Sequence, residues 1–149
     1  MTPELTALVS RLPLSRLADP TLLDEAGSRM RIAWPGDYAA VITDHNGAEG
    51  EVGGWNLVLT RVEDLVDQNS NDVMTFLPDL VVIGGDGGGE ALAIHRATGE
   101  VLLVPWIGTQ DDWLVLGLTF TEALHRMERG EVFDAPKWRP PHVTLTDAD

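Results

Sequence analysis

Cysteine is absent from this 149-residue sequence, which excludes disulfide frameworks and thiolate metal sites. With it goes the commonest sign of a small secreted domain, and a reducing cytoplasm is the expected compartment. Lysine is nearly absent: Lys137 stands alone, and ten basic residues face 24 acidic ones for a formal net charge of −14. A field of that sign repels phosphate, so binding to nucleic acid and docking on anionic membrane surfaces are both disfavoured. Long apolar runs are missing too. Residues 80–83, 101–104 and 114–118 stop far short of the roughly 20 that a membrane-spanning helix requires. Met1-Thr2-Pro3-Glu4 has neither the basic start nor the apolar middle of a signal peptide, so export by that route is not expected.

Recognisable catalytic sets are lacking as well. The four serines, Ser10, Ser15, Ser28 and Ser70, include none in a Gly-x-Ser-x-Gly elbow. His45, His95, His125 and His142 never fall at the i, i+4 spacing of a helical zinc pair. Glu122 with His125 is one Glu-x-x-His where a di-iron bundle needs two. The glycine-rich run from Gly84 to Gly89 suggests a phosphate cradle, but Glu90 stands where a P-loop has lysine and where a dinucleotide loop has its third glycine. A hairpin turn is the better reading. Asp86 with Glu90 falls short of the roughly six to eight oxygens that calcium takes, and adjacent Asp111 and Asp112 read as a solvated turn. No catalytic residue, metal ligand or cofactor is expected.

What is present is a patterned single domain. At 44% hydrophobic, a chain of this length buries a proper core. Thr2-Pro3-Glu4 starts a helix whose Leu5, Leu8, Val9 and Leu12 share a face, and Asp19-Pro20 starts a second that Gly27 weakens. Trp34-Pro35-Gly36-Asp37 opens a third with Tyr38, Val41, Ile42 and His45 on one side, ended by Asn46-Gly47. Residues 47–54 hold four glycines and read as a flexible loop before a strand over 55–60, in which Trp55, Leu57 and Leu59 alternate with Asn56, Val58 and Thr60. Thr60 and Glu63 form a capping box ahead of a short helix that ends in the polar stretch 67–72. Strands follow at 80–83, 91–96 and 100–104, joined by hairpins, with Pro105 marking an edge or a strand end. After a break at 106–112 comes an apolar run over 113–118, then a capping box of Thr119 and Glu122 and a helix stopped by Gly130. The expected fold is α+β: a largely antiparallel sheet flanked by N-terminal helices and a C-terminal helix over residues 1–130. Residues 131–149, with Pro136, Pro140 and Pro141, are expected to form a tail that is extended on the surface or partly disordered.

Tryptophan is the more informative residue for function, because it anchors both cores and interfaces. Trp34 and Trp113 read as core, whereas Trp55, Trp106 and Trp138 lie beside loops and are expected to be at least partly exposed.

The run Pro35-Gly36-Asp37-Tyr38 through a helix to Asn46-Gly47 resembles the SUKH superfamily, the Smi/Knr-type immunity and regulatory proteins. In the same order, Trp55-Asn56-Leu57 followed by Val62-Glu63-Asp64-Leu65 is similar to that family's first strand and next helix. Residues 83–94 resemble its glycine-rich hairpin, and residues 120–124 its closing helix. The resemblance spans roughly residues 20–130. It implies an α+β domain that binds another protein, in bacteria typically an immunity protein (antitoxin) that neutralises a polymorphic toxin, often a nuclease. No catalytic residues come with it, and Pro35, Asn46, Gly47, Gly88 and Gly89 fall on its architectural positions. The partner-binding candidates come from this sequence alone: Asp44, Glu49, Glu51, Trp55, Asp86, Trp106, Asp111 and Asp112 offer carboxylates and indoles near loops to a basic protein face. Two rivals remain: a regulatory or scaffold protein with an endogenous partner, and a metal-dependent enzyme using Asp86, Glu90, Asp111 and a histidine.

Overall fold

A computed structural model describes residues 1–10, 12 and 17–140. Ser15, His142 and tail residues 141–149 lie outside them.

The helix starts are made by the capping groups that the sequence displays. Thr2 Oγ1 accepts from Leu5 N at 3.1 Å at the head of α1 (Pro3–Leu8). Asp19 Oδ1 accepts from Thr21 N at 2.9 Å at the head of α2 (Pro20–Met30). Gly27 does not interrupt α2, because its bare backbone admits a neighbour: a Cβ there would lie 2.8 Å from Trp34 Nε1. That indole nitrogen donates to Leu23 O at 2.8 Å, which fastens the following segment to the helix. In α3 (Gly36–Asp44) the side chains of Tyr38, Val41 and Ile42 are wholly buried.

Among the described residues one antiparallel sheet holds six strands in the order of the chain: β1 (Glu49–Val52), β2 (Trp55–Leu59), β3 (Leu80–Gly85), β4 (Glu90–His95), β5 (Val101–Pro105) and β6 (Leu114–Gly117). The sheet lies against helices from both ends of the chain, so the fold is α+β. The expected loop over 47–54 is instead largely strand. Glu49 to Val52 pair with Val58 to Trp55, and only Gly53 and Gly54, with φ of 60° and 86°, make the turn. Composition misled here because both of those glycines serve a tight hairpin. At the centre, a Cβ on Gly84 would stand 2.1 Å from Val58 O, so only glycine lets β2 approach β3.

Strands β3 to β5 read as unbroken apolar runs because the sheet is covered on both sides. On the inner face Val81, Ile83, Leu92, Ile94, Val101 and Leu103 pack against the helices, including α6 (Phe120–Glu128). Phe120 meets Tyr38 edge-on at 5.5 Å. On the outer face Leu80, Val82, Ala91, Ala93, Leu102 and Val104 form a second cluster with Val73, Trp113 and Trp138.

The segment between β2 and β3 departs from expectation. The capping box of Thr60 and Glu63 does not form; Asn46 serves instead, its Oδ1 accepting from Val62 N and its Nδ2 donating to Glu63, both at 2.8 Å. A turn of 3-10 helix, Val62–Asp64, leads into α4 (Leu65–Gln68), and a further helix not expected from the sequence, α5 (Asp72–Phe76), starts where the polar stretch ends. Asn69 is buried between them and β3. Its Oδ1 accepts from Val82 N at 2.6 Å, and its Nδ2 donates to Val82 O at 2.9 Å and to Leu65 O at 2.8 Å.

At the other sheet edge the described part of the tail is packed rather than loose. Val115 N donates to Pro136 O at 2.7 Å and Trp138 N to Trp113 O at 2.9 Å, so residues 136–138 shield β6. Trp138 is 8% exposed, with its ring 5.1 Å from Trp113 and 5.7 Å from His95. An edge strand offers free amides and carbonyls to any extended segment, and here the chain supplies its own. Thr119 caps α6 by accepting from Glu122 N at 3.1 Å, and Gly130 turns the chain away at φ 70°. No helix among the described residues is long and apolar enough to cross a membrane.

Candidate functional site

Three connections meet at one end of the sheet: the β1–β2 turn, the β3–β4 turn at 86–89, and the β5–β6 connection at 106–113. Hydrogen bonds tie them side by side. Glu51 stands opposite Asn56 in the ladder, Asn56 Nδ2 donates to Asp86 O at 3.0 Å, and Trp106 N donates to Gly89 O at 3.0 Å. The glycine-rich turn is held by Asp86, whose Oδ1 accepts from Gly88 N at 2.8 Å and Glu90 N at 3.2 Å. Those amides are therefore engaged within the turn, consistent with a hairpin.

Next to it, the β5–β6 connection folds on its own caps in a 3-10 turn, Gln110–Asp112. Thr109 Oγ1 accepts from Asp111 N at 3.3 Å, and Thr109 N donates to Asp112 Oδ2 at 3.0 Å. Lys137 Nζ donates to Asp111 O at 2.9 Å and so anchors the tail beneath the connection. Glu90, opposite Pro105, holds its proton above the usual carboxylate range, first because it is partly desolvated and then because Asp86 and Asp112 repel its charge. No cation among the described residues lies within 4.0 Å of the carboxylates of Asp86, Glu90, Asp111 or Asp112.

Beside these carboxylates opens a cavity of about 520 Å³ between α5 and the connection. Val73, Phe76, Leu77, Pro105, Trp106 and Trp113 give it apolar walls. Phe76 is 74% exposed, Trp106 43% and neighbouring Ile107 96%. Exposed apolar side chains gathered at one place are a feature that protein interfaces, ligand grooves and aggregation-prone patches share.

Four of the eight candidates, Asp86, Trp106, Asp111 and Asp112, thus gather at one place, with Trp106 exposed as expected. Glu49 and Glu51 are exposed on β1, along the row that runs to Asp86 through Asn56. Trp55 is different. It is 8% exposed, because the alternation that buries Leu57 and Leu59 turns it to the inner face as well. Asp44 sits at the end of α3, near the other end of β2, where Leu59 N donates to Ala48 O. Of the described histidines, His95 closes β4 at the end away from Glu90, His125 contacts Glu4, and His45 is buried after α3. None is brought to Asp86, Glu90 and Asp111, and no group of three metal-ligating side chains is found among the described residues. The groove wall at residues 73–77 escaped sequence reasoning, although Val73, Phe76 and Leu77 fall at i, i+3 and i+4 directly after the polar stretch 67–72.

No protein-family model matches the chain, and no curated protein matches it in sequence.

Proposed function

We propose that this chain is a non-enzymatic protein-binding module for a basic protein partner, and, following its resemblance to the SUKH superfamily, a bacterial immunity protein that neutralises a cognate toxin by stoichiometric binding in the cytoplasm. The observation that carries the reading is the juxtaposition at the sheet end. Exposed Phe76, Trp106 and Ile107 stand beside Asp86, Glu90, Asp111 and Asp112, none of which is paired with a cation among the described residues. Aromatic anchors supply most of the energy of an interface once water is excluded, whereas surrounding charge sets the rate of encounter. With a net charge of −14 behind it, this end steers a cationic face from a distance. Steering of this kind raises association from about 10⁵–10⁶ M⁻¹s⁻¹ toward about 10⁸ M⁻¹s⁻¹ at low salt.

The test is affinity capture from the source lysate at low and moderate salt, followed by expression of the captured protein alone. The expected result is a basic protein that binds one to one and arrests growth unless this chain is co-expressed. A captured partner that is harmless by itself would replace immunity with regulation. A purified chain that retains a stoichiometric metal and loses stability on chelation would overturn the non-enzymatic reading in favour of a metal protein.

A further inference from the structure

We infer that the groove between α5 and the β5–β6 connection receives a single large apolar side chain of the partner, carried on a segment with lysine or arginine on both sides of it. This rests on the partner-binding reading and names the chemistry recognised. Size comes first: about 520 Å³ open to solvent accommodates one aromatic or branched aliphatic side chain with its neighbouring backbone, not a folded element. Apolar side chains line it from both sides, Val73 and Phe76 on α5 and Leu77 at its end facing Pro105, Trp106 and Trp113, with Thr109 and Gln110 adding polar groups on the connection.

Charge complementarity selects the flanking residues. Asp112 reaches into the rim: a Cβ on Gly108, itself a lining residue, would lie 2.8 Å from Asp112 Oδ2. Asp86 and Asp112 lie close enough to Glu90 to raise its proton affinity, so the three carboxylates form one field beside the opening. A cation on either side of the inserted group meets that field in partly desolvated surroundings. Two other occupants fit less well. A second copy of this chain brings a further −14, and residues 141–149 carry Asp147 and Asp149 with no lysine or arginine.

The experiment titrates the ¹⁵N-labelled full chain with the end-blocked pentapeptide Arg-Lys-Phe-Lys-Arg, with Arg-Lys-Gly-Lys-Arg and Glu-Glu-Phe-Glu-Glu as comparisons. The expected result is amide shifts confined to residues 73–77, 86–90 and 105–113. Affinity for the phenylalanine peptide should exceed that for the glycine peptide by about tenfold or more, the value of burying one such side chain. The double variant Phe76→Ser and Trp106→Ser changes only exposed side chains, so it keeps the fold and should abolish that difference. Equal binding of the glycine peptide, equal binding of the acidic peptide, no binding at about 10 mM, or shifts elsewhere would each overturn the inference. So would sedimentation showing a dimer that the double variant disperses, which would assign the groove to a second copy. The two levels fail separately. A captured toxin whose affinity is unchanged by the double variant leaves the partner reading standing and removes the groove. A seated peptide with no growth-arresting partner does the reverse.

Discussion

Replacing Asn69 with alanine removes three hydrogen bonds and no apolar contact of consequence, so its cost measures how far one carboxamide supports the groove wall. The β2–β3 ladder is short, with register partners only at Val58–Gly85 and Leu59–Gly84. Beyond it, Asn69 takes the place of a strand: it accepts from Val82 N at 2.6 Å and donates to Val82 O at 2.9 Å. Alanine leaves that buried donor and that buried acceptor without a partner, at about 1–3 kcal/mol each. Leu65 O loses less, because it also accepts from Asn69 N at 3.1 Å. The expected loss is about 3–5 kcal/mol, and with about 2–4 °C per kcal/mol for a domain of this size the melting temperature falls by about 10 °C. Asn69→Asp should be worse at neutral pH, since a carboxylate oxygen then faces the carbonyls of Val82 and Leu65. Burial raises that introduced group's pKa in the folded state, so the penalty is full above the folded value and diminishes as pH falls toward the unfolded one. Urea melts followed by tryptophan fluorescence report both variants. A loss below about 1 kcal/mol for Asn69→Ala would refute the reasoning, because Val82 would then have found other partners at no cost.

Three further outcomes are expected. Tyr38 is wholly buried with its hydroxyl unpartnered among the described residues, and burial raises its pKa, so Tyr38→Phe should match or exceed the parent in stability by about 1 kcal/mol; a clear loss in calorimetry would show that the hydroxyl is bonded. Glu90 has a folded-state pKa above its unfolded one, so its charge opposes folding above both values; Glu90→Gln should therefore be more stable than the parent at pH 7, with the gap closing as pH falls below about 4, and a constant gap in pH-dependent melts would contradict this. Asp111 and Asp112 should separate: Asp111→Lys slows partner association severalfold in low-salt stopped flow while leaving stability intact, whereas Asp112→Lys also costs about 0.5–2 kcal/mol because its carboxylate holds Thr109 N. Equal melting temperatures for the two would remove Asp112 from that cap.

The features read correctly from sequence are those whose cause is local. Thr2, Asp19 and Thr119 cap helices within a few residues of themselves, and the apolar runs at 80–83 and 101–104 need both faces covered whatever covers them. Errors arose where a distant segment decides. Glu63 would close a box with Thr60 if left alone, but Asn46 arrives from the end of α3 and takes its carboxylate. Trp138 is buried because Trp113 and His95 receive it, a contact that no window of the tail contains. The candidate site divides in the same way. Its carboxylates lie in turns and are legible as such, whereas the groove has one wall at 73–77 and the other at 105–113, and only the sheet brings the two together.

The solitary lysine has a practical consequence. Lys137 is the one side-chain amine of the chain, and it is fixed 2.9 Å from Asp111 O beside the β5–β6 connection. An amine-reactive dye or photo-crosslinker therefore marks a single side chain, at the very end of the sheet where a partner is proposed to land. The protein carries its own address for footprinting that encounter, without an engineered cysteine.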